Sequence, residues 1–212
     1  MSWLSLFEEM KILVGITGGI GSGKSIVSKI CRIKGFPVYD CDSRAKILMH
    51  SSKSIKEKLI EIVGEQVIMS NGSINTTILA DKIFSNSIIR NKVNFVVHNA
   101  VRSDIEKWIE QQKTEIIFIE SAILHTSHLD EFVDSIWYVD ASEEERIRRV
   151  EIRNNISKEE IKKRISSQKN EMDNLPIEKL KIINNNGQKS LVEQINHFIN
   201  QMSNKKISIT KI

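Results

Sequence analysis

Ile12-Leu13-Val14-Gly15-Ile16-Thr17 runs straight into Gly18-Gly19-Ile20-Gly21-Ser22-Gly23-Lys24-Ser25 (GGIGSGKS), and these residues decide the fold of this 212-residue chain. The apolar run has the length and composition of a strand buried on both faces. The eight residues after it match G-x-x-x-x-G-K-[ST] in full, and the chain from Ile26 reads as a helix. Each part has a physical task. Glycines allow backbone conformations and close approach that a side chain obstructs, so amides from Gly19, Gly21, Ser22, Gly23 and on to Ile26 can converge on phosphate oxygens at a helix N-terminus. Lys24 then reaches the β- and γ-phosphates, and the Ser25 hydroxyl ligates Mg²⁺. The stretch predicts a phosphate-binding loop for a nucleotide with Mg²⁺, a motif shared by ATP- and GTP-using proteins.

Working outward, further short apolar runs at Phe36–Asp40, Ile116–Glu120, Ile136–Val139 and Lys181–Ile183 read as strands, with charged helical segments between them. This alternation predicts an α/β fold: a five-stranded parallel sheet of the P-loop NTPase type, flanked by helices. The interval from Asp42 to Thr114 is helical in pattern, as in Ile55 to Val63 and Ile83 to Ile109. It predicts a helical insertion, about 51–112, in a single domain whose core takes about 11–50 and 114–203. A charged pair of helices, Glu143–Arg153 and Lys158–Met172, is joined by Asn154-Asn155-Ile156-Ser157, where Ser157 reads as an N-cap with Glu160 three residues on. This Arg-rich hairpin, about 142–173, is a candidate lid.

Composition is that of an ordinary globular protein, 40% hydrophobic and 27% charged, and no run approaches the roughly 20 apolar residues of a membrane span. With no secretory signal pattern at the start, the expected compartment is the cytoplasm, without a membrane partner. Two cysteines, Cys31 and Cys41, are too few for a disulfide framework or a structural zinc site. A net charge of +4 is mild and suits small polyanions as well as nucleic acid. The basic tail Ser203–Ile212 reads as a frayed end, so no nucleic-acid partner is expected, and the first nine residues have no evident role. A monomer or weak homo-oligomer is expected.

Asp40 and Asp42 sit at the carboxyl end of the second strand, the edge where parallel sheets host ligands. An Asp here serves either as a proton acceptor for an attacking hydroxyl or as a helix N-cap, and local sequence does not choose between them. Glu120 closes the third strand in the place of a metal-holding carboxylate, or simply ends a strand at solvent. In the hairpin, Arg146, Arg148, Arg149, Arg153 and Arg164 are all candidates for phosphate contact. Register favours Arg149 and Arg153, four apart on one face. His125 and His128 lack partners at metal-ligand spacing and read as loop residues.

Together these pieces resemble the dephospho-CoA kinases, from about Lys11 to Asn200. The similarity is carried by GITGGIGSGKS (15–25), GFPVYDCDSRAK (35–46), LADKIFSN (79–86), NFVVHNAV (94–101), RIRRVEIRN (146–154), RISSQ (164–168) and IINNNG (182–187). The resemblance implies transfer of the ATP γ-phosphate to the ribose 3′-hydroxyl of dephospho-CoA, with Asp42 as the base. It also implies a substrate-binding helical region containing His98 with Asp40 and Asp42 nearby, lid arginines Arg149 and Arg153, and an adenine-side turn at Asn186 and Gly187. Departures occur too: Asn99 follows His98 where the family usually has Pro, and Ala122-Ile123-Leu124-His125-Thr126 lacks the family's Pro and Glu. The competing readings are another nucleoside or nucleotide kinase, or a regulatory switch that hydrolyses nucleotide regardless of any acceptor. No guanine-reading Asn-Lys-x-Asp motif is present.

Overall fold

The computed structural model describes residues 11–154, 156–168, 179–185 and 190–209. Its elements, in order, are β1 (Ile12–Thr17), α1 (Lys24–Ile33), β2 (Val38–Asp40), α2 (Cys41–Ser51), α3 (Lys53–Val63), α4 (Thr76–Ser85), α5 (Ser87–Glu110), β3 (Ile116–Glu120), β4 (Ser135–Asp140), α6 (Glu143–Asn154), α7 (Lys158–Ser167), β5 (Lys179–Ile183) and α8 (Leu191–Ile209). Short 3₁₀ turns occupy Glu65–Val67 and Asp130–Phe132. Among the described residues, no helix is long and apolar enough to cross a membrane.

The strands form one sheet in the order β2-β3-β1-β4-β5. β1 lies parallel to both β3 and β4, with Ile16 opposite Glu120 on one side and Trp137 on the other. Pairing of β4 with β5 is also parallel, and the Phe118 amide donates to the Pro37 carbonyl at 2.9 Å just before β2. The central strands are continuous apolar runs because both faces are buried. Alternate residues Val14, Ile16, Phe118, Trp137, Val139 and Ile182 point to the face that packs Val27 and Cys31 of α1 and Ile195 and Met202 of α8. Phe36 meets Phe118 edge-on at 5.8 Å, which is why the predicted second strand begins two residues late: Phe36 is a packing residue of the approach, not a ladder residue.

The chain divides into two compact units, one running up to Val38 and resuming at Lys113, the other comprising Tyr39–Gln112. The helical unit thus begins at Tyr39 rather than near residue 51, because α2 packs on α3 and α5. Its core is Ile55, Leu59, Val63, Val67, Ile74, Leu79 and Val93. Within it Asp104 on α5 receives a bidentate pair from Arg44, at 2.7 and 2.9 Å, and the Tyr39 hydroxyl at 2.6 Å. Burial, reinforced by that carboxylate, pushes the Tyr39 phenol well above its usual range.

Candidate active site

Among the described residues, six helices are capped by a side chain: Asp40 for α2, Ser52 for α3, Asn75 for α4, Asn86 for α5, Ser142 for α6 and Ser157 for α7. The helix that follows the glycine loop is not. α1 starts from Gly23, held at φ 98°, with no side-chain cap bond. A left-handed N-cap needs glycine, and an uncapped N-terminus leaves unpaired amides and the positive end of the helix dipole facing outward. That arrangement suits an anion.

The loop is shaped from outside by polar side chains. The Nε of Arg146 donates to the Ile20 carbonyl at 2.9 Å. Asn184, just past β5, donates its Nδ2 to the Ser22 carbonyl at 2.8 Å, and the Nη1 of Arg149 lies 3.4 Å from both the Gly21 and Ser22 carbonyls. Arg149 is itself fixed by the Asn184 carbonyl at 2.7 Å and by Glu145 at 3.4 Å. Glu145 also bonds Arg148 at 3.0 Å, and that guanidinium draws the Glu145 carboxyl below its usual pKa. Lys24 folds inward, its Nζ donating to the Gly18 carbonyl at 2.6 Å.

Arg146 is only 7% exposed, yet its Nη2 has no hydrogen-bond partner among the described residues. An unsatisfied buried donor costs about 1–3 kcal/mol. The guanidinium lies against Gly19 so closely that a Cβ there would strike it, and a side chain at this loop position would have to displace it. Ile20 is gripped on its other side as well, its amide donating to Oε1 of Gln168 at 2.7 Å. Its side chain joins Ile147 and Ile156 around the hairpin core of Val150, Ile161 and Ile165.

Of the arginine pair chosen by register, Arg149 reaches the loop. Arg153 is exposed at the end of α6, its Nε bonded to the neighbouring Asn154 at 2.7 Å. The face that meets the loop is spaced by three, Arg146 and Arg149, not by four. Asn184 was also missed; the nearby Asn186 and Gly187 lie outside the described residues, as does the predicted continuation of the second hairpin helix beyond Gln168. Asp40 accepts the Ser43 amide at 3.1 Å and so caps α2, while Asp42 is exposed in that helix's first turn. His98 is half-buried on α5. His125 bonds the buried Asp130 at 2.7 Å, and His128 bonds Glu131 at 2.9 Å.

The exposed Ser25 hydroxyl and the half-buried Glu120 carboxylate at the end of β3 are hard oxygen donors, the ligand type that Mg²⁺ takes. Among the described residues no group of three or more His, Cys, Asp or Glu could hold a metal ion. Mg²⁺ fits nonetheless, because it keeps several waters and needs only one or two protein ligands besides phosphate.

Comparison with known proteins gives matches over most of the chain. The sequence model of the dephospho-CoA kinase family matches residues 12–197. A dephospho-CoA kinase of Bacteroides fragilis strain YCH46 is 39% identical over 187 residues, covering 88% of this chain and 90% of that protein. The Porphyromonas gingivalis dephospho-CoA kinase is 39% identical over 160 residues, covering 76% and 79%. Among solved structures, TT1252 from Thermus thermophilus superposes with a TM-score of 0.75 at 28% identity, covering 92% of this chain and 97% of that one.

Proposed function

Because the chain belongs to the dephospho-CoA kinase family, we propose that its residues carry out transfer of the ATP γ-phosphate to the ribose 3′-hydroxyl of dephospho-CoA, giving coenzyme A. The observation that carries this reading is the uncapped N-terminus of α1 under a glycine loop whose carbonyls are tied outward by side-chain donors.

In this reading the loop amides and Lys24 hold the β- and γ-phosphates, Lys24 exchanging its contact with the Gly18 carbonyl for phosphate oxygens. Ser25 and Glu120 would hold Mg²⁺, which would supply positive charge to offset that of the phosphates. Arg149 supplies positive charge to the phosphoryl group in transfer, and Arg153 closes over it from the end of α6. Asp42 accepts or orients the proton of the attacking hydroxyl, while Asp40 fixes the start of α2 and so the placement of Asp42. His98 binds the acceptor, and Asn186 and Gly187 lie beside the adenine. The hairpin acts as a lid that excludes water, limiting loss of ATP to hydrolysis. Use of ATP is in keeping with a cytoplasmic location.

Measuring ADP release with and without dephospho-CoA tests the reading. Release should depend on the acceptor, with phosphate recovered on the ribose 3′-oxygen. Equal release in both conditions would favour the regulatory switch, and phosphorylation of a different nucleoside would favour the other kinase reading.

A further inference from the structure

A peptide unit is planar and trans, so its carbonyl and its amide hydrogen point in opposite directions. Holding the oxygen from one side therefore aims the N–H to the other. Two units of the glycine loop are held in this way. The carbonyl of Ile20 shares its unit with the amide of Gly21, and that oxygen accepts from Arg146 at 2.9 Å. The carbonyl of Ser22 shares its unit with the amide of Gly23, and that oxygen accepts from Asn184 at 2.8 Å. In the unit between them the Gly21 carbonyl has only the longer contact with Arg149 at 3.4 Å, and the Ser22 amide closes a turn on the Gly19 carbonyl at 3.2 Å instead of facing outward.

We propose that Arg146 and Asn184 are positioning residues for the nucleotide's phosphates, which by gripping the Ile20 and Ser22 carbonyls aim the Gly21 and Gly23 amides into the phosphate site. The inference rests on the functional reading above and adds to it a role for two residues that do not bind the substrate. Charge matters as well as direction. A guanidinium on a carbonyl oxygen polarises its unit and strengthens the opposite N–H as a donor. Burial of Arg146 keeps this effect from being screened, and its Nη2 side lies against Gly19 of the same loop. Asn184 is steadied in turn by the Asp140 carbonyl, which accepts its amide at 2.8 Å, and by Arg149 on its own carbonyl. Both grips thus come from well-anchored elements, the start of α6 and the end of β5.

The test uses the full chain and three readouts: ATP affinity by calorimetry, KM for dephospho-CoA, and melting temperature. Arg146→Met keeps the apolar stem and removes every donor. ATP should bind about 10- to 100-fold more weakly, the range for losing a hydrogen bond from a charged group. KM for dephospho-CoA should stay within about twofold, since its site is not held by these carbonyls. Arg146→Gln, whose amide can again donate to Ile20, should recover most of the lost ATP affinity. A folded Arg146→Met variant with wild-type ATP affinity overturns the proposal. So does an equal loss for both substrates, which marks a merely structural residue, or a Gln variant as weak as the Met variant. Should Arg146→Met fail to fold, Asn184→Leu carries the test on the Ser22 carbonyl, where the same split is expected and an unchanged ATP affinity overturns the proposal. A wild-type protein that binds ATP but shows no acceptor-dependent ADP release refutes the functional reading alone, and the ATP comparison still decides the role of Arg146.

Discussion

Arg149 and Asn184 are locked together beside the glycine loop: the Nη2 of Arg149 donates to the Asn184 carbonyl at 2.7 Å, while Asn184 donates onward to Ser22 at 2.8 Å. An arginine of the hairpin is thereby tied to the end of β5 and to the loop at once. Arg149→Ala should lower turnover by about 10²-fold, the scale of losing one donor to developing charge. The acceptor KM should change far less, and ATP binding should weaken because Asn184 loses its support. Steady-state kinetics varying each substrate separates these effects, and wild-type values of both kcat and ATP KM would remove Arg149 from the mechanism.

Lys24 is half-buried and its Nζ donates to the neighbouring Gly18 carbonyl, so its removal should leave the fold intact. Lys24→Ala should cut ATP-dependent phosphorylation by orders of magnitude, with the circular dichroism spectrum preserved. Substantial activity in this variant would refute the loop's role in catalysis.

The two aspartates should separate cleanly. Asp40→Ala loses a cap and should cost about 1 kcal/mol of stability, read in urea unfolding. Asp42→Asn, exposed and outside the cap bond, should leave the melting temperature unchanged and lower turnover by about 10²–10⁴-fold. Normal turnover in Asp42→Asn would shift the base role elsewhere.

Cys31 gives a stability prediction with a definite sign. Burial in the sheet core pushes its thiol from 9.0 up to about 12. The folded state therefore keeps the proton where the unfolded chain releases it, so this contribution is complete below pH 9 and falls as pH rises towards 12. Relative to Cys31→Val, wild type should lose about 1.4 kcal/mol per pH unit above that point. Parallel unfolding curves for the two proteins between pH 8.5 and 10.5 would contradict it.

The sheet and the loop were legible because each is written locally: apolar runs for β1 and β3, and an unbroken motif from Gly18 to Ser25. The capping of α7 by Ser157 was legible for the same reason, since the Glu160 amide it receives is three residues away. Arg146 was not, although it stood among the candidates. Exposure of a helical arginine is the usual case, and only the packing of α6 onto Gly19 and Gly21 buries this one. A spacing of three is as available on a helix as a spacing of four, so register alone could not choose between Arg146 and Arg153. Asn184 lies 162 positions from Ser22 in the chain, a contact that no local pattern encodes. The boundary at Tyr39 was missed because α2 follows a strand, as a sheet-covering helix would, and only its packing on α5 reveals otherwise.

The Ile20 amide, closed onto the side chain of Gln168, is also a built-in clock. Its hydrogen can exchange with solvent deuterium only in the instants when the end of α7 lets go, so its exchange rate counts openings of the hairpin without any label or mutation. If ATP keeps the hairpin shut, that one proton should slow sharply on nucleotide addition while the exposed amides in the first turns of the same helices keep their pace. The interval between openings would then bound how often product can leave, turning a single backbone position into a readout of the catalytic cycle.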